Sequence, residues 1–375
     1  MDAVDGPRLR GAADPRLDEI VARLESHLAA DPDLSFQVAA FHAGEPVLDA
    51  WGGPHLDADS VIVPYSVTKN TIGVSIGLLV ERGLLDLDER VARHWPEFSA
   101  HGKQDVTVRQ LLSHQAGLPQ ADPPLAWDEI LDDHAAAHRL AASTPLWHPG
   151  SAFGYHALTI APLASELIFR ITGLTVNAFY EQEIRAPRGI DFYLGLPPEH
   201  DRRRVDVLPM IPPAAPAPAH GSPLMPLVFA SPGEAVDMAN DERSWRFGLA
   251  SGSGTGSARG IASLLAHAVT GCGGSAPLLS HDTVRTIGQQ QVHGYDEVLG
   301  QQERAHAIVF QKPRGSLMFG GPHAFGHDGA MGALACVDPE TGVAFAWTIA
   351  RGAWPGGGDP RAVRLAAELG ALLGA

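Results

Sequence analysis

Strand-type patterns lie near both ends of this chain, and the long stretch between them is mainly helical in pattern. Residues 35–53 read as two strands around a short glycine turn, and residues 324–350 alternate as two or three antiparallel strands with a turn at 338–342. Helical patterns flank these strands at 15–30 and 360–373, and a further helix is predicted over 154–172. Strands from both termini favour one antiparallel sheet with helices on its faces, so the sequence predicts an α+β fold.

The mainly helical middle of the chain predicts a second lobe. We divide the chain into an α/β lobe of residues 1–62 and 245–375 and a mainly helical lobe of residues 63–244. Prolines crowd residues 205–233, which favours an irregular segment at the surface or over a cleft. An active site is expected in the seam between the lobes, where pockets commonly form.

Composition restricts the partners of the chain. Its 375 residues carry a formal net charge of −16, which argues against nucleic-acid and anionic-membrane partners, because both favour basic patches. No apolar run reaches the length of about 18 residues needed to span a membrane, and the start MDAVDGPRLRG lacks the apolar stretch of a secretory signal. The two cysteines and eighteen histidines show no disulfide or metal-ligand spacing. We therefore expect a cytoplasmic protein without a metal or cofactor.

One of only three lysines in the chain, Lys69, follows Ser66 by three residues in the stretch VPYSVTKNTIG. The other 24 of the 27 basic residues are arginines, which cannot release a proton in a protein, whereas a desolvated lysine can. A helix that begins near Ser66 places Lys69 beside the serine hydroxyl, and its apolar continuation would lower the pKa of the lysine. The pattern predicts a serine nucleophile with a lysine base. The alternative is a surface lysine that follows a serine by chance.

A second candidate nucleophile is Ser75, nine residues further on in GVSIG, which matches the Gly-x-Ser-x-Gly elbow of α/β-hydrolases. That elbow requires a preceding strand, whereas the residues before Ser75 are helical in pattern. At about 100° per residue, Ser75 falls on the far side of the helix from Ser66. We therefore interpret Ser75 as a packing residue.

Several short segments extend this interpretation to most of the chain. They are YSVTK, GLLDLDERVARHWPEF, TVRQLLSHQAGLP, WHPGSAFGYHALTIAPLASELIFRITG and FGHDGAMGALACVDPETGVAFAW. In this order they resemble the serine β-lactamase and penicillin-binding-protein-like superfamily over residues 15–350, and most closely its class C-type members, the family VIII carboxylesterases. The resemblance implies an antiparallel sheet from both termini with a helical insertion.

The resemblance also implies roles for the matching residues. Ser66 matches the nucleophile, Lys69 matches its partner, and Tyr155 matches the tyrosine that relays a proton between the serine and the leaving group. With cationic groups on both sides, Tyr155 is expected to be partly ionised. The backbone N–H groups of Ser66 and Ala330 would form the oxyanion hole.

The chain departs from the pattern of the β-lactamases at two positions. Ala157 stands where they place an asparagine, and His327 stands where they place the lysine of Lys-Thr-Gly. Because that lysine helps to hold a substrate carboxylate, its absence argues against β-lactam hydrolysis and suits an esterase. The candidate substrate-binding residues are His327, Asp328, Gly329, His156 and Trp147.

Together these observations predict a carboxylesterase that cleaves a small-molecule ester or activated acyl substrate through an acyl-Ser66 intermediate. An acyltransferase that passes the acyl group to an amine or alcohol would use the same residues and would dock a second molecule. A β-lactamase and an α/β-hydrolase acting through Ser75 are further alternatives. A catalytically inactive binding protein would be expected to lack one of the three residues of the proposed machinery.

Overall fold

An antiparallel sheet assembled from both ends of the chain forms the centre of the protein. The structure is a computed structural model and describes residues 1–5, 8–214, 221–230 and 235–374. The strands are β1 (Asp2–Asp5), β2 (Leu9–Ala13), β3 (Phe36–His42), β4 (Glu45–Gly52), β5 (Phe192–Tyr193), β6 (Thr255–Gly256), β7 (Val292–Asp296), β8 (Gln301–His306), β9 (Phe325–Asp328), β10 (Met331–Gly332), β11 (Leu334–Asp338), β12 (Val343–Ile349) and β13 (Gly357–Gly358).

Helices lie between these strands and on both flanks of the sheet. They are α1 (Asp18–Ala30), α2 (Lys69–Glu81), α3 (Val91–His94), α4 (Val108–Leu112), α5 (Trp127–Ile130), α6 (Asp133–Ala142), α7 (Ile160–Thr172), α8 (Val176–Phe179), α9 (Ala186–Arg188), α10 (Met225–Val228), α11 (Ala235–Asn240), α12 (Glu242–Phe247), α13 (Ala258–Val269), α14 (His281–Gly288) and α15 (Pro360–Leu373). Within the described ranges, none of them has the length and apolar character needed to cross a membrane.

The central sheet has seven strands in the order β1-β2-β4-β3-β12-β11-β9, and each neighbouring pair is antiparallel. Strands β1 to β4 come from the beginning of the chain, whereas β9, β11 and β12 come from its end. The structure therefore confirms the predicted α+β fold with one sheet built from both termini. The division into lobes of residues 1–62 with 245–375 and of residues 63–244 stays a prediction.

Some strands carry too little pattern to be predicted. Strands β1 and β2 have the sequences DAVD and LRGAA, which mix charged and small residues and lack the alternation of apolar and polar residues that indicates a strand. The hairpin of β7 and β8 contains VHGYD and QQERAH and is similarly polar. These strands form because neighbouring chain segments offer backbone partners, which no local pattern reports.

Helices cover both faces of the central sheet. On one face, α1 and α15 enclose a core that includes Val38 and a stacked pair of Phe36 and Trp347, with ring centres 4.1 Å apart. On the other face, α13 and α2 share a core with Ala39. Successive side chains of a strand point to opposite faces, so Val38 and Ala39 belong to different cores although they are neighbours in sequence.

Helix α2 is buried from Lys69 to Leu79, and two glycines make this packing feasible. A Cβ on Gly73 would lie 2.2 Å from the ring of Phe310, and a Cβ on Gly77 would lie 2.8 Å from the side chain of Ile287. Any larger residue would force these neighbours to move. The glycines of GVSIG therefore serve helix packing, as expected for a helix that carries no nucleophile elbow.

Helix α7 begins later than the pattern predicted. The sequence favoured a helix over 154–172, but α7 begins at Ile160. Pro162 explains the difference, because proline fits the first turn of a helix but breaks the hydrogen-bond ladder inside one. Tyr155 consequently lies on an irregular segment, where its position depends on neighbouring side chains.

The proline-rich segment 205–233 is only partly described, because residues 215–220 and 231–234 lie outside the described ranges. Where it is described, backbone bonds tie it to its surroundings: the Leu208 N–H donates to the Ala350 oxygen at 2.7 Å. It also contains the short helix α10. The described part is otherwise irregular, as its prolines predicted.

Candidate active site

The turn that precedes helix α2 contains three hydroxyl groups, and only the one on Ser66 belongs to a residue that is not buried. Residues Tyr65–Thr68 form a 3-10 turn that runs directly into α2. Tyr65 has a φ of 51°, a left-handed conformation that is uncommon for a bulky residue and marks local strain. Ser66 is partly exposed, whereas its neighbours Tyr65 and Val67 are buried. The strained turn thus directs the Ser66 hydroxyl towards the open side of the helix end.

Two groups lie within hydrogen-bond distance of that hydroxyl. Lys69 Nζ is 3.0 Å and the Tyr155 hydroxyl is 2.8 Å from Ser66 Oγ. The lysine comes from the first turn of α2, and the tyrosine comes from the irregular segment before α7. The structure therefore brings together Ser66, Lys69 and Tyr155 in the geometry of a nucleophile with a base and a proton relay.

Burial favours the neutral form of Lys69. The side chain is fully buried, and burial lowers the pKa of Lys69 well below its ordinary value, with Asp328 acting in the opposite direction. Lys69 Nζ donates to the backbone oxygen of Ser251 at 2.6 Å. This bond holds the amine in place, so its lone pair is available to the Ser66 hydroxyl.

Burial also keeps Tyr155 protonated, which corrects the expectation that this phenol is partly ionised. The pKa of Tyr155 is raised above its ordinary value, mainly by burial. The expectation assumed a cation on each side, but Lys69 is driven towards its neutral form. Burial likewise lowers the pKa of His327 well below its ordinary value. Tyr155 therefore donates its proton to Ser66 Oγ in a hydrogen bond.

His327 faces Tyr155, whereas the Asp328 carboxylate bonds to the backbone of Gly358. His327 Nδ1 lies 2.7 Å from the backbone oxygen of Asp328 and donates to it, which leaves the lone pair of Nε2 facing the Tyr155 hydroxyl at 3.5 Å. The Asp328 carboxylate instead accepts from the Gly358 N–H at 2.9 Å. The sequence proposed Asp328 for substrate binding, and this hydrogen bond also ties its carboxylate to strand β13.

The end of strand β9 comes very close to the Ser66 turn. A Cβ on Gly329 would lie 2.3 Å from the backbone oxygen of Pro64, so only glycine fits at this position. Within the described residues, neither the Ser66 N–H nor the Ala330 N–H donates to a protein acceptor. Two unused N–H donors near a nucleophile suit an oxyanion.

His156 and Trp147 differ in their relation to the site. His156 is fully buried, and its ring nitrogens bond to the Gly154 oxygen at 2.7 Å and the Leu118 N–H at 2.9 Å. Since both nitrogens are used by the backbone, His156 is not available to a substrate, contrary to the expectation from the sequence. Trp147 is half-buried and packs in the cluster that contains Tyr155.

That cluster includes Tyr155 and is called the apolar wall below. Three short stretches of chain, around residues 155–157, 224–228 and 298–299, meet here, and Trp147 packs against them. Its buried members are Tyr155, Ala157, Val228 and Val298, and its half-buried members are Trp147, Leu224 and Leu299. The side chains of the wall pack against one another, and none of them is charged.

Ser75, the alternative nucleophile, is inaccessible. Its side chain is fully buried, and its hydroxyl donates to the backbone oxygen of Thr71 at 2.7 Å. This is the usual bond of a serine inside a helix. The structure therefore supports its interpretation as a packing residue.

Several groups around the site were not identified from the sequence. Ser251 acts through its backbone oxygen, which no residue type reveals. Asp296 and His306, on the hairpin of β7 and β8, are fully buried behind Tyr155, and a polar turn between two short strands is the only local signal for them. Across the ranges that the structure describes, no group of three or more histidine, cysteine or acidic residues is arranged to hold a metal.

Comparisons with known proteins point to one family. The beta-lactamase family model matches residues 22–368 of the chain. The esterase/beta-lactamase LipL of Mycobacterium tuberculosis is 30% identical over 372 residues, covering 91% of this chain and 84% of LipL. The solved structure of EstA from Arthrobacter nitroguajacolicus Rue61a has a TM-score of 0.91 and 39% identity, covering 96% of this chain and 98% of EstA. A family VIII carboxylesterase structure gives a TM-score of 0.86 at 30% identity, covering 96% of this chain and 98% of its own.

Proposed function

The chain belongs to the beta-lactamase family, and we propose that it is a serine carboxylesterase that works through an acyl-Ser66 intermediate. One observation carries the proposal: Ser66 Oγ lies 3.0 Å from a buried lysine amine and 2.8 Å from a protonated phenol. A hydroxyl between a base and a proton donor is equipped for acyl transfer. The similarity to LipL, EstA and a family VIII carboxylesterase supports an ester as the substrate.

In the acylation step each of the three side chains has its own role. Ser66 Oγ attacks the ester carbonyl carbon while its proton passes to the neutral amine of Lys69. When the tetrahedral intermediate collapses, the bond to the alcohol oxygen breaks and that oxygen takes the proton of Tyr155. The phenolate then regains a proton from the Lys69 ammonium, so the base is neutral again when the acyl-enzyme has formed.

The backbone N–H groups of Ser66 and Ala330 hold the negative oxygen of the tetrahedral intermediate. Water then attacks the carbonyl carbon of the acyl-Ser66 ester and passes one proton to the Lys69 amine. When this second tetrahedral intermediate collapses, the bond to Ser66 Oγ breaks, Ser66 Oγ takes the proton back from Lys69, and the carboxylic acid leaves. Because Ser66 is partly exposed, water has access to the acyl group. Hydrolysis is therefore the fate that the site favours.

The proposed site lies between the two lobes of the chain. Ser66, Lys69 and Tyr155 come from the lobe of residues 63–244, whereas His327 and Ala330 come from the lobe of residues 1–62 and 245–375. We also place the protein in the cytoplasm, since both of its cysteines, at 272 and 336, are free thiols. The substrate is a small-molecule ester, held between the lobes beside Ser66.

An uncharged ester is expected to be a far better substrate than a β-lactam. The apolar wall carries no cation, and the low pKa of His327 keeps it neutral where the β-lactamases place a lysine. We expect kcat/KM for p-nitrophenyl butyrate to exceed that for a chromogenic cephalosporin by at least about 100-fold. The double variant Ala157→Asn/His327→Lys should lower this ratio. Equal rates with the two substrates in the native protein would contradict the assignment.

Transfer of the acyl group to an amine or alcohol is the second candidate function, because the same acyl-enzyme would serve it. Incubation with p-nitrophenyl acetate and benzylamine separates the two. We expect the carboxylic acid to remain the main enzymatic product, because water reaches Ser66. Ser66→Ala measures the uncatalysed aminolysis as a control. An amide as the main product would assign the protein to acyl transfer.

A further inference from the structure

The hairpin formed by β7 and β8 contributes no atom to the proposed reaction, yet it lies directly behind Tyr155. Its turn supplies Val298 and Leu299 to the apolar wall. Its strands place Asp296 and His306, both fully buried, against the segment that carries the phenol. Acidic and imidazole side chains are rarely buried without a task.

Asp296 binds three backbone N–H groups with one carboxylate oxygen. Its Oδ1 accepts from Tyr155 at 3.1 Å, from Val298 at 2.9 Å and from Leu299 at 2.8 Å. Two of these bonds close the hairpin turn, and the third crosses to the catalytic segment. Burial acts to raise the pKa of Asp296, but His306 and the backbone donors outweigh burial and lower it. The carboxylate is therefore charged, and its bonds are of the stronger, charge-assisted kind.

His306 covers the back of the Tyr155 ring. The two rings are nearly parallel, at 17°, with centres 6.1 Å apart, and His114 meets His306 edge-on with ring centres 4.7 Å apart. His306 Nε2 lies 3.8 Å from Asp296 Oδ2, beyond hydrogen-bond distance. The hairpin thus contacts Tyr155 at both its backbone and its ring.

The segment before α7 needs such support because helical bonds do not hold it. The Tyr155 hydroxyl must stay at 2.8 Å from Ser66 Oγ, and an error of about 1 Å in the position of a reacting group can cost on the order of 100-fold in rate. His114 accepts from the N–H groups of the residues on either side of Tyr155, and Asp296 accepts from the N–H of Tyr155 itself.

We propose that Asp296 is a positioning residue for Tyr155: its carboxylate anchors the backbone of the tyrosine and so sets the distance of the phenol from the serine hydroxyl. The inference rests on the proposed function, in which Tyr155 relays the proton. It predicts that Asp296 acts on catalysis only through the phenol. A substitution at Asp296 should therefore slow the chemical step and leave substrate binding unchanged.

A double-mutant cycle with Tyr155→Phe tests this coupling. In the native background we expect Asp296→Ala to lower kcat for p-nitrophenyl acetate by about 30-fold, with KM within about two-fold of the native value. Asp296→Asn keeps an acceptor oxygen and should lose less than about five-fold. In the Tyr155→Phe background both substitutions should change the residual rate by less than about two-fold, because the group they position is gone.

The matched control is Thr175→Ala, which removes a side-chain acceptor from the Ala178 N–H at the start of α8, where the distance is 3.3 Å. It should leave kcat within about two-fold of the native value in both backgrounds, as a cap distant from the chemistry affects only stability. All assays are run well below the melting temperature of each variant. If Asp296→Ala does not fold, Asp296→Asn carries the same cycle.

The outcomes separate this inference from the proposed function. Equal fold losses at Asp296 in both backgrounds, or a loss confined to KM, would show a purely structural role and overturn the inference. The same holds if Asp296→Ala is no slower than Thr175→Ala. Full activity of Tyr155→Phe would instead overturn the relay role of Tyr155, and with it the proposed mechanism itself.

Discussion

Ser66→Ala is expected to lower kcat/KM for p-nitrophenyl esters by at least about 10⁴-fold, because removal of a catalytic nucleophile leaves only binding and electrostatic stabilisation. The variant should fold normally, since the hydroxyl is partly exposed and its loss creates no buried cavity. An alkyl fluorophosphonate, which forms a stable bond with an activated serine, should label the native protein at Ser66 and leave the variant unlabelled. Steady-state kinetics and peptide mass spectrometry measure the two effects.

Ser75→Ala is the matched control, because it removes the serine of the rival GVSIG motif from the same helix. The Ser75 hydroxyl only bonds back to Thr71, so we expect activity within about two-fold of the native value and a small change in stability. Phosphonate labelling that persists in Ser66→Ala and disappears in Ser75→Ala would reverse the assignment of the nucleophile.

The strands could be predicted where the sequence alternates between apolar and polar residues. They could not be predicted where only backbone pairing with a neighbour makes a segment a strand. The alternation at 324–350 predicted strands β9, β11 and β12, because the side chains of these strands are buried on one or both faces of the sheet. Strands β1 and β2 have no such pattern; β1 is the edge strand of the sheet, β2 lies between β1 and β4, and backbone pairing makes both of them strands. For helix α7, apolar spacing predicted the helix but not its first residue. The spacing continues upstream to 154, but Pro162 determines where the helix begins.

The scarcity of lysine indicated burial more than it indicated catalysis. Lys69, Lys103 and Lys312 are all buried, with 0%, 0% and 6% of their surface exposed, and burial lowers the pKa of Lys103 and of Lys312 to about 8. Lys103 donates to the backbone oxygen of Ser143, whose hydroxyl donates to the backbone oxygen of Arg139. The serine three positions before Lys69, together with the helix start, was therefore the decisive part of the pattern.

The rest of the site could not be predicted because it depends on backbone atoms and on electrostatics. The Ser251 oxygen that holds Lys69 and the amides proposed as the oxyanion hole belong to the main chain, so residue identity does not mark them. The ionisation of Tyr155 was predicted from the charges of its neighbours, but burial suppresses those charges as well. Only the three-dimensional arrangement shows that Lys69, Tyr155 and His327 are all driven towards their neutral forms.

Burial of Lys69 implies that activity and stability oppose each other at this residue. Folding transfers an amine from water, where it is charged, into surroundings that favour its neutral form, and the cost of this change reduces the free energy of unfolding at neutral pH. The same change creates the base that we propose for Ser66. A residue of similar volume without the amine should therefore give a more stable and inactive protein.

Lys69→Met is the substitution that tests this trade-off. We expect kcat/KM for p-nitrophenyl esters to fall by at least about 10³-fold, the upper part of the range for general-base catalysis. We expect the free energy of unfolding at pH 7 to rise by about 1–2 kcal/mol, as is common when a strained functional group is replaced by an apolar one. Urea denaturation and steady-state kinetics measure the two quantities. Lys69→Arg is the control, since its permanent charge should remove both activity and stability.

The free energy of unfolding of the native and Lys69→Met proteins should depend differently on pH. Because the pKa of Lys69 is lower in the folded protein than in the unfolded chain, the unfolded chain binds more protons between the two values, and the native protein gains stability as the pH rises. The Lys69→Met protein lacks this term, so its advantage should shrink as the pH approaches about 10.4, the pKa of an unfolded lysine. Ester hydrolysis by the native protein should weaken as the pH falls through the lowered pKa, since a protonated amine accepts no proton. A stability difference that is independent of pH, or a Lys69→Met protein that retains activity, would mean that Lys69 is not the base.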